Sequence, residues 1–175
     1  MTATPQVVIV MGVSGSGKTT LARLLAEAWH ARFLDADDIH DDAARARMAA
    51  GLPLTDAMRD PWAARIADEL TRRVANGERV VLAFSGLRRR HRDRLRATGL
   101  SLRFLFLQGD QALIAARMQA RSGHYMPASL LDSQFKALEM PAGEADVVTL
   151  AIDQPPDDML REALPALGRS EHFRF

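Results

Sequence analysis

Cysteine is missing altogether from this 175-residue chain. That excludes disulfides, thiolate metal sites and a cysteine nucleophile. An excess of charge of one sign is missing too. The formal net charge is +1, so no general field for nucleic acid exists and no nucleic-acid partner is expected. No apolar run approaches the ~20 residues of a membrane span, and no membrane partner is expected. Met1-Thr2-Ala3-Thr4-Pro5-Gln6 has no basic stretch ahead of the short apolar run that follows. A secretory leader is therefore not expected, and the cytoplasm is the expected compartment. Aromatic residues make up only 6%, with one Tyr and two Trp. Lysine occurs only as Lys18 and Lys136, which makes Lys18 conspicuous. What remains, 47% hydrophobic and 26% charged, is an ordinary globular composition. The length suits a single domain over residues 1–175.

Within that background one segment stands out. Gly12, Val13, Ser14, Gly15, Ser16, Gly17, Lys18 and Thr19 match the phosphate-binding pattern G-x-x-x-x-G-K-[ST] at every required position. The apolar run Val7–Met11 precedes it. A helical pattern from Thr20 to His30 follows, with Leu21, Leu24, Leu25 and Ala28 on one face. Strand, glycine-rich turn and helix are the context this motif needs. Glycines let successive backbone N–H groups turn inward around a phosphate, and the helix N-terminus adds its dipole. Gly12 through Thr20 are thus the expected nucleotide-binding residues. Lys18 is expected on the outer phosphates, and the Thr19 hydroxyl on Mg²⁺.

Strand and helix signals alternate through the rest of the chain. Strands are expected at Val7–Met11, Arg32–Asp35, Arg79–Phe84, Leu102–Leu107 and Val147–Ile152. Helices are expected around Asp42–Ala50, Pro61–Asn76, Arg89–Ala97, Gln111–Arg121, Leu130–Leu138 and Pro156–Leu167. Uninterrupted apolar strands separated by helices predict an α/β fold with a parallel sheet covered on both faces. Here that means five strands in a three-layer sandwich of the phosphate-loop type. A helical lid is expected at about 117–137, and the tail from 168 is expected to fray.

Ligands of such sheets collect beyond the carboxyl ends of the strands. Asp35-Ala36-Asp37-Asp38-Ile39-His40 ends the second strand. One carboxylate there can hold Mg²⁺, and another can accept the proton of an attacking hydroxyl. Asp35 and Asp37 are the candidates. His40 is either a ligand to a substrate hydroxyl or a loop histidine. The third strand ends in Phe84-Ser85-Gly86 with no acidic residue, which argues against GTPases and motor ATPases. In the basic run Arg88–Arg96, a solvated helix face, a nucleic-acid patch and an anion hook are the three options. Arg88 and Arg92 are best placed for the last. Arg117 and Arg121 share a helix face, and a lid closing over phosphates is expected of them. Asp60-Pro61-Trp62 reads as a turn before a long helix, with Arg59 as a second anion hook.

These blocks together resemble the gluconate kinases, small-molecule kinases related in fold to shikimate and nucleoside monophosphate kinases. The likeness runs from about Val7 to Ile152. It rests on the phosphate loop, Phe33–His40, Gly51-Leu52-Pro53-Leu54-Thr55-Asp56, Arg59-Asp60-Pro61-Trp62, Gly123-His124-Tyr125-Met126-Pro127, Ser133-Gln134-Phe135 and Leu138-Glu139-Met140-Pro141. The resemblance implies transfer of the ATP γ-phosphate to the 6-hydroxyl of D-gluconate, a sugar acid. By this likeness ATP and Mg²⁺ are the cofactors, and the assembly is a homodimer. Lys18, Asp37, Arg117 and Arg121 would be catalytic, with Asp37 as base or hydroxyl orienter. Thr19 and Asp35 would lie on the metal side. Asp37, His40, Arg47, Arg59, Arg88 and His124 would contact substrate, His124 from the lid. The chain departs from the family's pattern at Asp41, Ala44, Arg47, Gly86 and Arg88, all expected in the acceptor site. Another sugar acid therefore stays open as acceptor. So do a nucleoside or nucleotide acceptor and a non-catalytic nucleotide-binding regulator.

Overall fold

The five apolar runs become five parallel strands. The computed structural model describes residues 3–121 and 127–168. In chain order the elements are β1 (Val7–Met11), α1 (Lys18–Trp29), β2 (Arg32–Asp35), a 3₁₀ turn (Ala36–Ile39), α2 (Asp42–Ala49) and α3 (Asp56–Ala75). They continue with β3 (Val80–Ala83), α4 (Arg89–Arg96), β4 (Leu102–Gln108), α5 (Gln111–Ala120), α6 (Ala128–Ala137), β5 (Val147–Ala151) and α7 (Pro156–Ala163), the last closing in a 3₁₀ turn (Leu164–Leu167). The strand order is β2-β3-β1-β4-β5. Ile9 of the central strand pairs with Leu82 on one side and Phe104 on the other.

The side-chain period of two explains the layers. Val8 and Val10 point to one face with Leu105 and Leu107, where α1 and α7 bury Leu21, Leu25, Trp29 and Met159. Val7, Ile9 and Met11 point to the other with Phe104 and Phe106, where α3 and α4 bury Trp62, Ile66, Leu70 and Leu95. Each large aliphatic or aromatic side chain fully buried in these layers contributes about 1.5–3 kcal/mol. Among the described residues no helix is long and apolar enough to cross a membrane.

One element starts earlier than its sequence pattern suggests. Asp60-Pro61-Trp62 is not a turn but lies inside α3, which begins at Asp56. The Thr55 hydroxyl caps it, accepting from the Met58 N–H at 3.2 Å, so the helix nucleates ahead of the proline. Pro61 still costs the bond its own N–H would have made. Trp62 anchors that turn: it is buried, and its indole N–H donates to the Ala36 carbonyl at 2.8 Å.

Candidate active site

The phosphate loop leaves the carboxyl end of the central strand and enters α1 at its left-handed N-cap, Gly17. Gly12 and Gly15 both hold a positive φ, and Gly12 is crowded by backbone as well. A Cβ on Gly12 (φ 151°) would lie 2.9 Å from Ser16 Oγ and 3.0 Å from the Leu107 carbonyl. On Gly15 (φ 79°) it would lie 2.6 Å from Met118 Cγ, so α5 rests directly on the loop. Lys18 Nζ donates to the Val13 carbonyl at 3.0 Å.

Beside the loop opens a cleft of about 660 Å³, a volume suited to a small ligand. It brings together Ser14, Gly15, Gly17, Lys18, Thr19 and Thr20 of the loop with Asp35, Asp37 and His40 from the end of β2. Arg59 and Trp62 of α3, Ser85 after β3, Arg121, and Ser133 and Gln134 of α6 complete much of its wall. Asp35 caps the 3₁₀ turn, accepting from the Asp37 N–H at 3.0 Å. The Asp37 side chain is exposed and lines the cleft.

Electrostatics separate the three charged groups. Burial pushes the Lys18 ammonium down to about 8, against the upward pull of Asp37 and Asp35. Burial raises Asp35, only partly offset by the Asp37 N–H. Asp37 goes the other way, because a hydrogen bond from His40 holds its carboxyl below the usual range despite desolvation. His40 Nε2 stands 3.5 Å from Asp37 Oδ1. Its ring is buried and stacks on Trp62 with centroids 4.0 Å apart. Burial and stacking thus give this histidine a fixed orientation.

Several expected residues fall elsewhere. Arg92 is no anion hook: it is 0% exposed. All five of its guanidinium N–H donors are matched. Nε donates to Glu144 Oε1 at 2.9 Å, one terminal nitrogen to the Gly86 and Leu87 carbonyls at 2.6 and 3.3 Å, and the other to Glu144 Oε2 at 2.6 Å and the Glu139 carbonyl at 3.0 Å. Arg88 does not line the cleft; it stands at the rim, 3.5 Å from Asp56 and 3.8 Å from Glu139. It reaches the wall only through Asp56, which Arg59 also contacts at 3.3 Å. Arg47 is likewise outside, its Nε donating to the Pro53 carbonyl at 2.6 Å. Asp41 caps α2 through the Ala44 N–H at 2.8 Å, and Ala44 is buried. Gly86 is buried between Met11 and Arg92. The departures from the family pattern therefore lie outside the lining of this cleft.

Arg117 and Arg121 do not continue one helix face. Arg121 is the extended C-cap of α5 (φ −84°, ψ 111°). Arg117 faces a second cleft of about 510 Å³ that shares Gly15, Gly17, Thr20 and Arg121 with the first and adds Ser16, Asp153, Gln154, Pro155, Pro156 and Met159. Sequence reasoning missed this second cleft. It also gave Gln134 no role, although the Ser133-Gln134-Phe135 block had been singled out. His124, and with it residues 122–126 of the expected lid, lies outside the described residues, as does the tail 169–175.

Known proteins share this arrangement. A family model described as an AAA domain matches residues 7–141. The gluconokinase of Gluconobacter oxydans is 41% identical over 162 residues, spanning 91% of this chain and 90% of the relative. The chain belongs to the gluconokinase family. The thermosensitive gluconokinase of Escherichia coli is 43% identical over 146 residues, covering 83% of this chain and 78% of its own. Among solved structures, a gluconokinase from Sinorhizobium meliloti superposes with a TM-score of 0.87 at 42% identity, covering 96% of this chain and 94% of the other. Membership makes the chain a phosphate-loop kinase that uses ATP and an alcohol acceptor. The expectation of a five-stranded parallel α/β fold is met by the sheet itself and by this superposition.

Proposed function

We propose that this chain transfers the γ-phosphate of ATP to the 6-hydroxyl of D-gluconate. One observation carries the assignment. The Asp37 carboxylate shares a single cleft with Lys18 and the phosphate loop on one side and with His40 and Arg59 on the other. A hydroxyl placed there meets a proton acceptor and a terminal phosphate together.

Each residue takes a role from its place. Loop amides and Lys18 hold the phosphates. Arg59, in the cleft wall, faces the acceptor end and supplies a guanidinium for a carboxylate. Arg117 and Arg121 border the second cleft, which suits the nucleoside end of ATP and continues from the loop. Asp37 orients the hydroxyl and accepts its proton, and His40 holds Asp37. Hard oxygen donors suit Mg²⁺, and the exposed Thr19 hydroxyl with the Asp35 carboxylate supplies them at the cleft. Among the described residues no three His, Cys, Asp or Glu side chains gather as a cation site of their own, so phosphates and water complete the set. Bound Mg²⁺ would neutralise phosphate charge there. Family likeness extends the proposal to a homodimer working in the cytoplasm.

A nucleoside acceptor fits less well. Among the described residues the aromatic ring lining the cleft, besides His40, is Trp62, and its face is already stacked on His40. A coupled assay against a panel of aldonic acids and nucleosides tests the assignment. Gluconate is expected to give the highest kcat/KM. Stimulation by nucleosides alone would overturn it.

The Lys18 shift has a measurable consequence. Free of ligand, the ammonium loses its proton near pH 8 rather than 10.5. A bound triphosphate favours the charged form and drives the pKa back up. ATP affinity is therefore expected to fall as pH rises past about 8, with proton uptake on binding. Calorimetry at about pH 8.5 in two buffers of different ionisation enthalpy should return different apparent enthalpies. Identical values would show that Lys18 does not titrate on binding.

A further inference from the structure

The phosphate loop is tied to α6 across 120 positions of sequence by a single side chain. Gln134 Oε1 accepts from the Ser14 backbone N–H at 2.7 Å, and Gln134 Nε2 donates to Ser14 Oγ at 2.9 Å. The chemistry fixes which end of the amide faces which group. A backbone N–H can only donate, so the oxygen must face it, and the NH₂ must then donate to the hydroxyl. Burial of Leu130, Leu131 and Ala137 seats α6 against the core, so the amide is held from a packed helix.

A hydroxyl carries one hydrogen. Since Ser14 Oγ accepts from Gln134, that hydrogen is left to be donated elsewhere. Ser14 lines the same cleft as Lys18 and Asp37. We propose that Gln134 is a positioning residue: it turns the Ser14 O–H toward the terminal phosphate of ATP, adding a neutral donor where charge develops in transfer. The proposal rests on ATP occupying the loop, as proposed above. It assigns to α6 a part in the chemistry besides packing.

A double-mutant cycle tests it. Ser14→Ala removes the hydroxyl. Gln134→Glu keeps an acceptor for the Ser14 N–H but replaces the donor with a second acceptor, so the hydroxyl turns back to the carboxylate. Each single variant is expected to lower kcat about 10- to 100-fold with the KM for ATP changed less than about threefold, as for loss of a transition-state donor. The double variant is expected to match Ser14→Ala within about threefold, because Gln134 acts through that hydroxyl. Ser14→Thr, which keeps the hydroxyl, should restore kcat to within about fivefold of the unmodified chain. Losses that multiply in the double variant, losses confined to KM, or a Ser14→Thr variant as slow as Ser14→Ala would each overturn the proposal. A new carboxylate repelling ATP would give the multiplying result. Should Gln134→Glu not fold, Gln134→Met, which lacks the NH₂ donor and adds no charge, takes its place in the cycle with the same expectations. If the unmodified chain does not phosphorylate gluconate, the functional assignment fails by itself. The same cycle is then read on ATP hydrolysis with water as acceptor.

Discussion

Asp37→Asn is expected to lower kcat by about a hundred- to ten-thousandfold while ATP binding changes only a few-fold. The amide keeps the shape of the side chain but loses its charge and its capacity to take a proton. Geometry gives the reason for so large an effect. The Asp37 side chain is 74% exposed and lines the cleft, and His40 holds it ionised. A carboxylate with a depressed pKa is a weak base, so in the proposed reaction its main work would be to aim the hydroxyl. In a loose phosphoryl-transfer transition state the attacking oxygen keeps its proton until late, so aiming is what such a step requires. The substitution has a second signature. Asp37 pulls the Lys18 pKa upward, and in the variant Lys18 should deprotonate below 8. Steady-state kinetics with calorimetric ATP titrations check both. Equal losses in kcat and ATP affinity would remove Asp37 from the acceptor side of the reaction.

Arg92→Leu should act on the fold and leave the substrate alone. The residue is wholly buried, and its partner Glu144 has a side chain only 2% exposed. Burial alone would raise the Glu144 carboxyl; hydrogen bonds from Arg92 and Arg96 overcome this and hold it below the usual range. Removing Arg92 strands much of that charge, at a cost of about 3–5 kcal/mol. For a chain of this length the thermal midpoint should drop by roughly 10 °C. Adding Glu144→Leu should recover part of the loss, since Arg96 keeps Asp146 at 2.8 Å and Asp93 at 2.7 Å. Sign follows from the depressed pKa: the Glu144 contribution is in place at neutral pH and is lost as pH falls through the folded-state value. Scanning calorimetry of the single and double variants reads both effects. A folded Arg92→Leu protein with an unchanged midpoint and a raised gluconate KM would return Arg92 to the substrate.

Arg92 shows where sequence alone falls short. Strands such as Val7–Met11 are legible because an unbroken apolar run has few other homes, and the phosphate loop because its glycines answer fixed backbone needs. Asp35 and Asp37 were legible from their place at a strand end. In Arg88–Arg96, by contrast, every position is polar except Leu95. The clue was there: His91 lies four before Leu95 on the same face and Arg92 beside it, and all three are buried. What sequence could not supply was Glu144, 52 positions away. The start of α3 was hidden by Pro61, whose breaking effect is outweighed by the Thr55 cap and the buried Trp62. Gln134 was legible as part of a motif and illegible as a contact, because its partner Ser14 sits at the other end of the chain.

The strand order has a consequence of its own. With β1 central, Asp37, His40 and Arg59 hang from the β2 and α3 flank, whereas Arg117 and the Asp153–Pro156 turn hang from the β4 and β5 flank. The fold is divided like a tool with an exchangeable jaw. On the proposed assignment, substitutions among residues 36–60 would act on the acceptor side of the cleft and leave Arg117 and the 153–156 turn unchanged. That is a scaffold on which a lineage can diversify its diet without reinventing its engine.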